Sequence, residues 1–214
     1  TAPTVVAGPP ASMVAEHAAG RWSAILPTTT RDPLATAVVM LSYLEQVRLG
    51  PSADPGTVAD ALDQVALACA PRRDLAVNPA KTLAIGLADT NPVVWGGSVL
   101  AARAARRVAE SIRRSSGRTA IAGEVDQLLP VIEASRPRDV FDDPFAGGAG
   151  DLRPVLVVLD DGVDDPLVRE ERQQLESAAA ERGVRLETLT SEAPTDVARY
   201  ASLMLSGTYA SEYL

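Results

Sequence analysis

From residue 78 onward, short apolar stretches typical of β-strands alternate with longer amphipathic stretches typical of α-helices. The strand-like stretches cover residues 92–95, 118–122, 155–159 and 184–189, and a helical pattern follows each of them. Strands that alternate with helices form parallel sheets, because each helix returns the chain to the edge where the next strand begins. Helices then cover both faces of the sheet. The sequence therefore predicts an α/β fold, a three-layer α/β/α sandwich around a parallel sheet.

Two further segments precede this predicted domain, which we place at residues 78–214. Residues 1–30 have the pattern of strand, helix and strand, and two strands cannot bury their faces alone. We therefore expect them to be the C-terminal fragment of a first α/β domain, with the helices of residues 31–77 between the two domains. The chain starts without methionine and stops inside a predicted helix, so we expect further residues at both ends. Residues 136–150, which include a Gly-Gly-Ala-Gly tract, are predicted to be irregular.

The composition excludes several classes of protein. One cysteine and one histidine exclude an internal disulfide, a multi-cysteine zinc site and a histidine-rich metal centre. The net charge of −8 argues against a nucleic-acid binder, whose binding face would be basic. No apolar run approaches the roughly 20 residues of a membrane helix. We therefore expect a cytoplasmic protein that binds neither nucleic acid nor membrane and needs no metal and no cofactor.

The turn at Gly96, Gly97 and Ser98 is the first candidate binding site. It follows the strand at 92–95 and opens a long helix, and ligands of parallel sheets bind beyond the carboxyl ends of strands. The glycines let a ligand approach the backbone, and the first N–H groups of the helix favour an anion such as phosphate. The alternative is a tight turn in which Ser98 only caps the helix. On the first interpretation, Gly97→Val weakens anion binding more than it weakens folding.

Two charged segments carry weaker hypotheses. The helix that starts at Val99 bears several arginines, which we interpret as a solvated face, with an anion site or a dimer interface as alternatives. Glu110 lies four residues from both Arg106 and Arg114, a suitable spacing for surface ion pairs. Asp160 and Asp161 follow the strand at 155–159, where paired carboxylates can hold magnesium. The acidic residues just before Pro166 also fit the N-cap of the next helix.

Several local strings of the sequence are characteristic when taken together: Pro9-Pro10-Ala11-Ser12-Met13-Val14-Ala15-Glu16, Asn78-Pro79-Ala80-Lys81, Val93-Val94-Trp95-Gly96, Ala104-Ala105-Arg106-Arg107 and Ser202-Leu203-Met204-Leu205-Ser206-Gly207-Thr208-Tyr209-Ala210-Ser211. They resemble the bifunctional phosphoglucose/phosphomannose isomerases, two-domain proteins of the sugar isomerase (SIS) class. The arginine-rich composition suits a divergent actinobacterial branch of this family, sometimes labelled TobH. The resemblance implies that residues 78–214 are a second SIS domain and residues 1–30 the end of a first. It also implies a homodimer, because SIS-class sites are built across subunits.

The family's catalytic groups are not found where the resemblance places them. Active members interconvert aldose and ketose phosphates with a carboxylate base, a histidine for ring opening and an arginine that stabilises the enediolate. In place of the base this chain has Arg114, followed by two serines and a glycine. In place of the histidine it has residues 126–131, which include Pro130. Arg31 lies close to the arginine position but is displaced from it.

The resemblance and these departures lead to three hypotheses of function. The first is a sugar-phosphate-binding protein without isomerase activity, which contacts its ligand through Gly96, Gly97, Ser98 and Arg31. The second is an active phosphosugar isomerase that uses non-standard carboxylates such as Glu124 and Glu133. The third is a magnesium-dependent phosphotransferase that uses Asp160 and Asp161. We expect the first.

Overall fold

A computed structural model describes residues 3–135 and 152–214. The predicted irregular segment 136–150 lies outside them. The chain divides into two compact units, Thr1–Asp60 and Ala61–Leu214. No helix of the described residues is both long enough and apolar enough to cross a bilayer.

The first unit contains a small parallel sheet. Its elements are β1 (Thr4–Gly8), α1 (Met13–Ala18), β2 (Ser23–Pro27) and α2 (Pro33–Gln46). The strands β1 and β2 pair in parallel, with Thr4 opposite Ser23. The helix α2 begins as its sequence predicts, because Asp32 accepts a hydrogen bond from the backbone N–H of Ala35 at 2.8 Å. It ends at Gln46, and Arg48 then adopts the left-handed conformation with φ 58°.

The second unit contains the alternating elements. They are α3 (Pro55–Ala68, which starts in the first unit), a 3₁₀ turn (Leu75–Val77), α4 (Pro79–Leu87), β3 (Thr90–Gly96), α5 (Val99–Ser116), β4 (Ile121–Ala122), α6 (Val125–Glu133), β5 (Arg153–Asp160), α7 (Pro166–Arg182), β6 (Arg185–Thr190) and α8 (Asp196–Tyr213). The strand predicted at 118–122 is shorter than expected, since only its last two residues pair with β3.

The four strands of this unit form a parallel sheet in the order β4-β3-β5-β6. The chain passes from β3 to β4 on one side, and then crosses to β5 on the other side of β3. The direction of the strand order therefore reverses between β3 and β5. In open parallel sheets the crevice outside such a reversal is where ligands bind.

Helices cover both faces of this sheet. On one face, Val94, Val155 and Val157 pack with buried residues of α4, α5 and α8. On the other face, Trp95 and Leu156 pack with buried residues of α6 and α7. Because alternate residues of a strand point to opposite faces, the fully apolar strand β5 contributes to both clusters. The predicted three-layer α/β/α sandwich is confirmed.

The contact between α5 and α8 depends on a glycine. Val108 of α5 is buried against Gly207 of α8, and a Cβ atom built on Gly207 would lie 2.3 Å from Val108 Cγ2. Real Cβ atoms do not approach other atoms so closely, so a side chain at this position requires the two helices to move apart.

We predict that Gly207→Ala destabilises the protein by about 1–3 kcal/mol, the usual cost of overpacking a core. Helix propensity alone predicts the opposite change in stability, because it favours alanine over glycine by about 1 kcal/mol. Urea-induced unfolding measures the effect. The control is the double variant Gly207→Ala with Val108→Ala, in which the new methyl group fills the space left by valine. We expect the two changes to cost less together than the sum of their separate effects. A Gly207→Ala variant as stable as the unmodified protein would contradict the prediction.

Candidate functional site

Gly96 and Ser98 form a tight turn between β3 and α5. A Cβ atom on Gly96 would lie 2.4 Å from the carbonyl carbon of Ala101, so the first turn of α5 leaves room only for glycine. Ser98 is the N-cap of α5, and its Oγ accepts a hydrogen bond from the backbone N–H of Ala101 at 2.9 Å. The capping role considered for Ser98 is therefore present in the structure.

Gly97 lies against packed side chains. A Cβ atom on it would lie 2.2 Å from Val168 Cγ1 and 2.8 Å from Trp95 Cη2. The expectation that Gly97→Val weakens ligand binding more than folding therefore needs correction. A valine there would collide with the core between β3 and α7 before it met any ligand.

The Ser98 hydroxyl connects the turn to the loop that follows β5. It donates a hydrogen bond to Oδ2 of Asp161, a carboxylate that is only 8% exposed. The N-terminus of α5 is the positive end of the helix dipole and favours a negative group. The chain itself supplies that group, because Asp161 lies where an exogenous anion would approach the Ser98 hydroxyl.

Asp160, the neighbouring carboxylate, has different partners. Its Oδ2 accepts a hydrogen bond from Arg172 Nη1 at 2.7 Å, and its Oδ1 accepts one from the Gly162 N–H at 2.9 Å. Burial disfavours the ionised form, but these hydrogen bonds and the positive charge of Arg172 outweigh it, so the pKa of Asp160 is lowered. The Nε of Arg172 also donates to Glu176 at 2.7 Å. Arg172 thus joins the end of β5 to α7.

These two loops border a cavity of about 280 Å³, which we call the switch-point crevice because it lies where the strand order reverses. Its lining combines charged and apolar side chains. The lining residues are Trp95, Gly97, Val158, Leu159, Asp160, Asp161, Gly162, Val163, Asp164, Val168, Arg169 and Arg172.

The acidic loop, residues 160–165, ends in a residue that caps α7. Its carboxylates do not form a set of metal ligands. Asp165 is the N-cap of α7 and accepts a hydrogen bond from the Leu167 N–H at 2.8 Å, as the alternative interpretation of these acidic residues proposed. Asp160 and Asp161, the pair considered for magnesium, are held by Arg172 and Ser98 respectively. Within residues 3–135 and 152–214, no three histidine, cysteine, aspartate or glutamate side chains form a group that could hold a metal ion.

Arg114 lies far from the switch-point crevice. The crevice is at the N-terminal end of α5 and Arg114 near its C-terminal end, and the ends of this 18-residue helix are about 25 Å apart. The Arg114 side chain is 73% exposed and pairs with Glu110 at 2.5 Å. The second partner of Glu110 is Arg107, not Arg106, and the hydrogen bonds from Arg107 and Arg114 lower the pKa of Glu110. The expected pair between Glu110 and Arg114 is confirmed.

The two glutamates considered as non-standard catalytic carboxylates also lie apart, at the two ends of α6. Glu124 is the N-cap of α6 and Glu133 its last residue, so the backbone rises about 13 Å between them. Arg31 lies in the first unit, exposed, immediately before the cap of α2. Its role as a ligand contact remains a prediction.

No single local pattern singled out the two arginines of the crevice, Arg169 and Arg172, before the structure was known. They lie in the first two turns of α7, where Arg169 is exposed and Arg172 is half-buried. Local spacing gives one signal, since Arg172 and Glu176 are four residues apart. The pairing of Arg172 with Asp160 depends on how α7 packs on the sheet, which no local pattern encodes.

Comparison with known proteins agrees with this architecture. A glucose-6-phosphate isomerase-like protein from Thermus thermophilus superposes with a TM-score of 0.56 at 18% identity, over 89% of this chain and 57% of that one. A hypothetical protein from the same organism superposes with a TM-score of 0.62 at 15% identity, over 98% of this chain and 56% of that one. The chain thus spans little more than half the length of these structures, and the likeness shows the fold. No curated protein matches the chain.

The match at family level is more specific. The model of the bacterial phospho-glucose isomerase C-terminal SIS domain matches residues 76–214, well over half of the chain. This segment contains α4, the whole four-stranded sheet and the helices on its two faces. The chain therefore belongs to the family defined by the bacterial phospho-glucose isomerase C-terminal SIS domain.

Proposed function

We propose that this protein binds a sugar phosphate and does not isomerise it. The observation that carries the proposal is Arg114, which stands where the resemblance places the catalytic base. A guanidinium stays protonated at physiological pH and cannot accept a proton from carbon. The ion pair with Glu110 at 2.5 Å gives Arg114 a surface role instead.

The ring-opening histidine also has no counterpart in the second unit. The resemblance places it within residues 126–131, where α6 contains Pro130. The one histidine of the sequence, His17, belongs to the first unit, and its Nδ1 lies 2.8 Å from the carbonyl oxygen of Met13. Proton transfer between adjacent carbons of a sugar needs both a base and an open chain, so the two losses act together.

Binding is supported by the position of the switch-point crevice. The crevice lies at the reversal of strand order, the general ligand position of open parallel sheets. We propose Gly96, Gly97 and Ser98 as ligand contacts. Gly97 lines the crevice, and Gly96 and Ser98 are its neighbours in the chain. Arg31 is proposed as a further ligand contact.

We further propose that residues 1–30 are the end of a first SIS-like domain and that residues 31–77 join it to the second. The support is the apolar surface that the first unit leaves uncovered. The side chains of Met13 and Trp22 are 73% and 58% exposed, although α1 and the β1–β2 pair offer little else to form a core. A parallel pair of strands is normally buried on both faces.

We predict a homodimer. Val38 is the only residue of α2 that is fully buried, while its other large apolar side chains are half-buried around the helix, so α2 has surface for a further partner. Sedimentation velocity at micromolar concentration should give twice the 22.4 kDa mass of the chain. A monomer at all concentrations would rule out this assembly.

We predict that the protein does not convert fructose 6-phosphate to glucose 6-phosphate or mannose 6-phosphate at a measurable rate. A positioned acid or base typically contributes ~10²–10⁴-fold to such a reaction, and two are missing. A coupled spectrophotometric assay measures turnover, and thermal denaturation with the same sugar phosphates measures binding. We expect a raised unfolding temperature without turnover, both with and without magnesium.

The comparison variant for this assay is Arg114→Glu with Pro130→His, which restores the two residue types that the resemblance requires. Turnover by the unmodified protein would refute the loss of catalysis. A magnesium requirement for binding would favour the phosphotransferase hypothesis. The absence of any stabilisation by a sugar phosphate would refute the binding function itself.

A further inference from the structure

The switch-point crevice has the size of a site for one small ligand. Its volume of about 280 Å³ lies just below the roughly 300–1,000 Å³ common for small-molecule sites. Trp95, Val163 and Val168 contribute apolar surface to its lining. Such a cavity has room for a single sugar ring but not for a dinucleotide.

Both guanidinium groups of the crevice already face carboxylates. Arg172 pairs with Asp160 and Glu176, each at 2.7 Å, and Arg169 lies 3.4 Å from Asp164. An arginine that is held between two carboxylates does not offer an unpaired positive charge. Among the described residues that line the crevice, the half-buried cationic group, Arg172, is therefore already neutralised by two carboxylates and does not serve as a phosphate-binding group.

Asp161 gives the crevice its unbalanced charge. It is nine-tenths buried, and its partner is the Ser98 hydroxyl; among the ion pairs of residues 3–135 and 152–214, none includes Asp161. An ionised carboxylate accepts about four hydrogen bonds, so Asp161 has capacity for further donors. A phosphate group placed here would face this carboxylate, whereas a sugar hydroxyl would donate a hydrogen bond to it.

We infer that the switch-point crevice binds the uncharged, hydroxyl-bearing ring of a sugar ligand and excludes its phosphate group. This inference rests on the proposed function and deepens it, because it fixes the orientation of the ligand. Asp161 accepts hydrogen bonds from ring hydroxyls, Trp95 and Val168 contact the apolar side of the ring, and the phosphate points away from α5. The positive end of α5 is already compensated by Asp161.

Saturation-transfer NMR on the unmodified chain with glucose 6-phosphate tests the orientation directly. We expect stronger saturation of the ring hydrogens than of the methylene hydrogens beside the phosphate, because the ring is the buried part. The opposite order would place the phosphate in the crevice and would overturn the inference, while the proposed function would stand.

Calorimetric titration of variants tests the role of Asp161. Asp161→Asn keeps the shape of the side chain and an acceptor for Ser98 but removes the charge, and we expect it to weaken binding of glucose 6-phosphate about tenfold or more. The matched control is Asp165→Asn in the same loop, which removes the same charge and preserves the cap of α7, since asparagine caps as well as aspartate. We expect less than a twofold change for the control.

The outcomes separate the two proposals. Unchanged or tighter binding by Asp161→Asn overturns the inference alone. Binding of glucose without binding of glucose 6-phosphate supports the inference and overturns the proposed function, and no binding of either probe overturns both. Should Asp161→Asn fail to fold, as judged by circular dichroism, the NMR measurement on the unmodified chain decides.

Discussion

The pairing of β3 with β5 is the interaction on which the rest of the second unit depends. These strands align in parallel from Thr90 opposite Arg153 to Gly96 opposite Leu159. Because β4 already occupies the other side of β3, this pairing creates the reversal of strand order. It also brings together the ends of two strands that are far apart in sequence, and so places Ser98 beside Asp161. Without this register there would be a sheet but no crevice.

Under the proposed function, the residues that form the crevice serve both folding and ligand binding. Trp95 and Val168 pack into the space that a side chain at Gly97 would fill. Ser98 caps α5 and also donates a hydrogen bond to Asp161. A substitution here therefore changes stability and binding together. This coupling is why a charge-removing, shape-preserving change at Asp161 is more informative about the crevice than a bulky residue at Gly97.

The local features of the sequence were sufficient to predict most elements and their order. The alternation after residue 78, the caps at Asp32, Ser98 and Asp165 and the apolar strand β5 each have a signal within a few residues, and the structure contains all of them. The signals failed where a contact is distant in sequence. Neither the hydrogen bond between Ser98 and Asp161 nor the collision that any side chain at Gly97 would meet is visible in the neighbouring residues.

The same separation is what the proposed loss of the catalytic base requires of the fold. Arg114 lies on the surface at one end of α5, and exposed substitutions of this kind usually change stability by less than about 0.5 kcal/mol. The contacts that hold α5 in place, by contrast, run along its buried side, where Val108 meets Gly207. Under the proposed function, the residues that hold the fold therefore differ from those that would transfer a proton. A change of charge at the exposed position of Arg114 leaves the buried contacts of the sheet and the helices in place.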